Sequence, residues 1–161
     1  MMELLNVNRS HRQEVFRLCQ LLREENARMS FTDIASEEEL DQWFDSPEIY
    51  LYGAFNTDGQ LIGLLKATRG KGNKSHSVYL AAAVHPAYRK QQVAKTLTEY
   101  GLTKLKEEGI LIARTYIYSW NTASIATIES LGFIQSGRVF MHEYDPDEGG
   151  YIDDLIYYKL L

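Results

Sequence analysis

Between residues 77 and 107 the hydrophobic period of the chain changes from about two to about 3.6 within a few residues, and few architectures accommodate that change. Ser77-Val78-Tyr79-Leu80-Ala81-Ala82-Ala83-Val84 is apolar at almost every position, the pattern of a strand covered on both faces. Pro86 stops it. From Gln92 onward, Val93, Leu97, Tyr100, Gly101 and Leu105 recur on one helical face, and Lys95, Glu99, Lys104 and Lys106 fall on the other. The chain must therefore turn from a central strand into an amphipathic helix of about four turns through Val84-His85-Pro86-Ala87-Tyr88-Arg89-Lys90-Gln91-Gln92-Val93-Ala94. Such a turn leaves several backbone N–H groups without partners beside the positive end of a helix dipole, and Arg89 and Lys90 add charge there. Phosphate binding is one reading; an ordinary strand–helix joint with solvated bases is the other.

The remaining segments frame that joint. Glu3 to Val7 alternates as a short strand, and Arg12 to Arg23 carries Val15, Phe16, Cys19 and Leu22 at helical spacing. A second helix is predicted after Ser36, capped by its hydroxyl in a capping box with Glu39, with Leu40, Trp43 and Phe44 buried and Pro47 ending it. Ile49 to Phe55 and Leu61 to Ala67 read as a hairpin around Asn56-Thr57-Asp58-Gly59-Gln60. Beyond Gly109, Leu111 to Tyr118 reads as a strand and Asn121 to Leu131 as a helix closed by Gly132. Phe133 to Tyr144 and Tyr151 to Leu160 form a last hairpin. The expected fold is α/β: a mixed, mostly antiparallel central sheet of six or seven strands with helices on both faces. With no repeat or linker, all 161 residues are expected to form a single domain.

The net charge is −5, unevenly spread. Residues 66 to 106 carry nine bases against one acid, whereas residues 1 to 50 carry five against eleven and residues 107 to 161 three against nine. A basic centre suits a phosphate-bearing ligand, and acidic ends disfavour nucleic-acid wrapping while favouring an amine or basic peptide. Cys19, the single cysteine, excludes an internal disulfide and reads as a buried thiol. Polar residues interrupt the first twelve positions, so no signal peptide is expected, and no apolar run approaches membrane-spanning length. A cytoplasmic location with no membrane partner is the expectation.

The segment from Val84 to Ala94 resembles the central motif of the Gcn5-related N-acetyltransferase (GNAT) family. There, a strand ending in Val, His and Pro leads to Arg or Gln, two variable residues, Gly, another variable residue, and Gly or Ala. Arg89 fills the first position and Ala94 the last; Gln92 stands where the family has Gly. Asn121-Thr122-Ala123-Ser124-Ile125, running to Leu131-Gly132-Phe133, resembles the family's next motif. The resemblance implies acetyl-CoA as cosubstrate. Its diphosphate would lie on the turn formed by Arg89, Lys90, Gln91, Gln92, Val93 and Ala94. Its pantetheine arm would run along Ala82 and Val84 and past Asn121 and Ser124, although Asn121 also reads as a helix cap. If the local dihedrals at position 92 are helical, the glutamine side chain points away from the ligand.

The resemblance further implies direct attack by an amine in a ternary complex, with backbone donors near Ala82, Ala83 and Val84, Val84 foremost, orienting the thioester. The tyrosine that many relatives place seven residues after the motif Asn is Ile128 here, which cannot donate a proton. Tyr118 is the leading substitute base, with Tyr116, His76 and Glu25 behind it. No His, Cys and Asp spacing indicates a metal, and no serine sits in a nucleophile elbow. Two functions follow: acetyl transfer to a primary amine of a small molecule or peptide, or acyl-CoA sensing by a degenerate, non-catalytic site. A homodimer is compatible with either.

Overall fold

The computed structural model describes residues 1–161. Its centre is a seven-stranded sheet in the order β1-β2-β3-β4-β5-β7-β6, comprising β1 (Glu3–Asn6), β2 (Ile49–Phe55), β3 (Leu61–Arg69), β4 (Ser77–Val84), β5 (Ile112–Tyr118), β6 (Ile134–Asp145) and β7 (Gly150–Leu160). All neighbours are antiparallel except β4 and β5, so the expected mixed, mostly antiparallel sheet is the one present.

Helices occupy both faces because the strands present apolar residues to both. On one face α1 (Arg12–Glu24) buries Val15, Leu18, Cys19 and Leu22 against Leu51, Leu61 and Leu64, with Phe31, Leu40 and Trp43 completing the layer. On the other, α3 (Val93–Glu107) sinks Leu97 and Leu105 onto Leu65, Ala67, Val78 and Leu80, and α4 (Thr122–Ser130) packs Ile125 and Ile128 beside them. Full burial of a leucine stabilises by roughly 2 kcal/mol, so the pair on α3 anchors the helix behind the turn. Gly101 allows the close approach: a Cβ there would lie 2.3 Å from Leu65 Cδ2.

Two local expectations are corrected. The segment after Ser36 is a 3-10 turn, Glu37–Leu40, followed by a short α2 (Asp41–Asp45). The Ser36 hydroxyl caps no backbone N–H and instead donates to Glu39 Oε1 at 3.4 Å. The Glu39 carboxylate, which also accepts from Ala35 N–H at 3.3 Å, takes the hydroxyl. β4 is central, as expected, but neither of its faces is closed throughout: Tyr79 is 42% exposed on one, and Ala82 is exposed on the other.

That exposure reflects where the sheet forks. β4 pairs with β5 only over Ser77–Leu80 and Ile112–Thr115. Beyond that point β4 continues to Val84 along β3, and β5 continues to Tyr118 along β7, leaving a gap between them.

Candidate active site

The turn that follows β4 begins where the gap ends. His85 N–H donates to Ile62 O at 2.8 Å, on the β3 side. By strand alternation, the backbone groups of Val84 and Ala82 then face the opposite way, into the gap. Leu80 fits this register, since its carbonyl accepts from Thr115 Oγ1 at 3.1 Å on the β5 side. Ala82 and Val84 therefore present N–H and C=O groups to the gap, without a strand partner there.

Above them the chain passes through the 3-10 turn Pro86–Tyr88 into α3. Tyr88 N–H donates to His85 O at 2.9 Å, and Thr96 N–H donates to Gln92 O at 3.0 Å. From Arg89 through Lys95 no backbone N–H is bonded within the protein. Lys90 and Gln92 both adopt left-handed backbone, with φ of 63° and 65°. Left-handed residues in such a run turn successive N–H groups toward a common concavity, an anion cradle at the N-terminus of a 15-residue helix. The chemistry of this donor set fits a diphosphate. The condition under which the Gln92 side chain would turn away, helical dihedrals, is not met: position 92 has the positive φ that glycine adopts readily, and the glutamine holds it at a cost in backbone strain.

Other anticipated residues are more committed. Arg89 forms a bidentate pair with Glu25 at the end of α1, through Nη1 to Oε2 at 3.0 Å and through Nη2 to Oε1. Glu25 is thereby occupied as an ion-pair partner. Asn121 caps α4, its Oδ1 accepting from Ser124 N–H at 3.2 Å, so both residues stand at a helix start below the gap. Ile128 is packed against the core. His76 is exposed in the turn before β4, where its carbonyl accepts from Leu111 N–H at 2.8 Å.

Tyr118 sits at the end of β5, directly across from Asp154 on β7. Its phenol is held protonated by a hydrogen bond to Glu143 and by burial, with the charges of Glu143, Asp154 and Tyr79 adding to the effect. A tyrosine in this setting is a hydrogen-bond donor, which argues against the role of base. A candidate base that the sequence did not single out is the acid opposite it. Asp154 has a side chain only 14% exposed; burial raises its carboxyl above the ordinary range, Glu143 adds repulsion, and His142, at 4.0 Å, opposes. Two adjacent acids, Asp153 and Asp154, inside a largely apolar strand were the available signal, because aspartate is depleted in strands. Asp153 serves structure, accepting from Arg138 Nε at 2.6 Å and Met141 N–H at 2.8 Å.

The far end of this acidic corner is closed by Arg28. Its guanidinium bonds Asp145 at 2.6 Å and lies 3.5 Å from the centre of the Trp120 ring. The segment after α1 is thus tied to the β6–β7 hairpin over the face that carries Tyr79, Tyr116 and Tyr118.

An open α/β sheet with one forked strand pair and unbonded N–H groups at a helix start above the fork suits an extended ligand that carries phosphate at one end. Residues 16–133 match the model of the Acetyltransferase (GNAT) family, and the chain belongs to that family. Its structure is similar to that of an acetyltransferase of the GNAT family from Streptococcus pneumoniae (17% identity, TM-score 0.83, all of both chains covered). It also resembles a GCN5-related N-acetyltransferase from Kribbella flavida (17%, TM-score 0.87, 99% of this chain and 98% of that one). A third similar structure is the ribosomal-protein-S18-alanine N-acetyltransferase from Escherichia coli (18%, TM-score 0.79, 99% and 94%). No curated protein matches the chain. No helix is long and apolar enough to cross a membrane, and no group of three or more His, Cys, Asp or Glu residues could hold a metal ion.

Proposed function

We propose that the protein transfers an acetyl group from acetyl-CoA to a primary amine by direct attack in a ternary complex. The observation that carries this reading is the continuity between the unbonded N–H groups of Arg89 through Lys95 and the unpaired edge of β4 at Ala82 and Val84. A diphosphate on the first and an amide-bearing arm along the second bring a thioester to the fork, beside Tyr118 and Asp154. Asp154 takes the proton of the incoming ammonium, freeing the nitrogen lone pair to attack the carbonyl carbon. As the carbon–sulfur bond breaks, the new amide nitrogen gives up its extra proton to solvent and the leaving thiolate gains one, from the Tyr118 hydroxyl, which solvent then reprotonates. Backbone N–H at Val84 is placed to stabilise negative charge on the carbonyl oxygen.

Mass spectrometry of an amine panel incubated with the protein and acetyl-CoA tests the reading. Acetylation well above the no-enzyme rate is expected, and none above that rate across the panel would overturn it. One observation favours a second reading: Ile128 is committed to core packing, so α4 carries no phenol at that position. Acetyl-CoA binding measured by calorimetry without any transfer would indicate a non-catalytic sensor.

A further inference from the structure

Charge is ordered along the open face of the sheet. At the fork end stand Asp154 and, from β6, Glu143, both acidic. Toward the other end of the same face stands Arg114, four residues before Tyr118 on β5 and directly across from Tyr79 on β4. An open cavity of about 340 Å³ lies here, lined by Thr68, Arg69, Tyr79, Arg114 and Tyr116 among others. Arg114 is half-buried and takes part in none of the molecule's ion pairs. The rings of Tyr79 and Tyr116 lie 5.3 Å apart and form its apolar wall.

A second cation behaves the same way. Lys66 projects from β3 one alternate position from Thr68, on this same face, and registers with Ala81. It has no carboxylate partner, lies 4.5 Å from the centre of the Trp43 ring, and is pushed below its ordinary range by burial. Two uncompensated cations on one partly buried face are costly unless something negative visits it. The protein's own acids form no ion pair with either cation, and Asp154 on this face stands opposite Tyr118 at the fork.

We propose that the Arg114 cavity receives an anionic group of the acceptor, so that the substrate is a small amine bearing a carboxylate or phosphonate a few bonds from its nitrogen. The inference rests on the acetyltransferase reading above and adds the substrate class. Arg114 presents a planar fork suited to either anion, the tyrosine pair flanks the intervening carbons, and Asp154 meets the ammonium at the fork. Four residues along a strand span roughly 13 Å between Cα atoms, and the long arginine side chain shortens the distance its ligand must bridge.

The test uses matched acceptors: amino acids and aminophosphonates, the corresponding amines lacking the anion, and a short peptide with a free N-terminus and an acidic side chain. Wild-type kcat/KM for the free zwitterions is expected to exceed that for the matched amines at least tenfold, and that for the peptide by a similar factor. The carboxylate and phosphonate arms show which anion is preferred. In Arg114→Gln the zwitterion-to-amine ratio should fall at least tenfold through KM, and Arg114→Lys should restore part of it. Equal kcat/KM for zwitterions and plain amines, preference for the peptide, or an unchanged ratio in Arg114→Gln would overturn the inference while leaving acetyl transfer standing. If no amine is acetylated, the parent reading fails on its own. Calorimetry with the free amino acids and aminophosphonates then still decides: binding lost in Arg114→Gln upholds the anion site, and no binding to the wild type overturns it.

Discussion

Arg89 and Glu25 are joined across the mouth of the phosphate cradle, two guanidinium nitrogens on two carboxylate oxygens. Because the pair spans 64 positions in sequence, it links the end of α1 to the turn that feeds α3. A cation already satisfied by a carboxylate gives less to an incoming diphosphate than a free one, and the carboxylate repels it. Arg89→Ala should therefore weaken acetyl-CoA binding only about fivefold, within the range of a partly exposed pair. Glu25→Gln should tighten it by a similar factor, more at low salt than at high. Calorimetry of both variants at two ionic strengths checks this; weaker binding in Glu25→Gln would mean that the pair positions the turn.

At position 92 the expected gain is in stability. Glutamine holds φ at 65° where glycine would do so without strain, so Gln92→Gly should raise unfolding free energy by up to about 1 kcal/mol, offset in part by the entropy of the unfolded chain. Acetyl-CoA affinity should be equal or higher. Urea unfolding and calorimetry on the same preparation provide both numbers, and a destabilised variant would show that the glutamine side chain does more than tolerate the turn.

For Asp154 the sign of the pH effect is fixed by its raised carboxyl. A folded-state pKa above the unfolded value contributes stability at pH below the ordinary 3.8, and that contribution is lost as pH rises through the folded-state value. Asp154→Asn should accordingly be more stable than the wild type near neutrality and show no such advantage in acid. Its kcat should fall about 10²-fold or more, with the acid limb of the pH–rate profile removed. Thermal melts across pH together with the rate profile test the two halves separately.

Cys19 is fully buried, and burial pushes its thiol up to about 12. Thiolate chemistry is suppressed at neutral pH, so a thiol reagent should label the native protein only at its unfolding rate and label it promptly in denaturant. Rapid labelling of the native chain would contradict the packing of α1 against the sheet.

The change of period between Ser77 and Glu107 located the central strand, the helix and the turn between them, because burial on two faces and burial on one stripe leave different marks in local sequence. Ala82, Val84 and the Arg89-to-Ala94 segment were legible for that reason. Asp154 and Glu143 were not, since they reach the site only through the register of β5, β7 and β6, a long-range pairing that no window of sequence contains. The left-handed conformation of Gln92 was hidden for another reason: the residue that ordinarily advertises it, glycine, is missing. Ser36 misled because its hydroxyl donates to the Glu39 carboxylate instead of accepting from a backbone N–H.

The forked sheet also has a mechanical reading. β1 to β4 and β5 to β7 are two antiparallel leaves stitched by a parallel seam only four residues long, Ser77–Leu80 against Ile112–Thr115. Whatever lies in the fork bridges the leaves where the seam has stopped, so an extended ligand there acts as a length of missing strand. Occupancy then becomes part of the protein's tensile structure, and amide exchange along Ala82 to Val84 and Tyr116 to Tyr118 is a gauge of how tightly the two leaves are held.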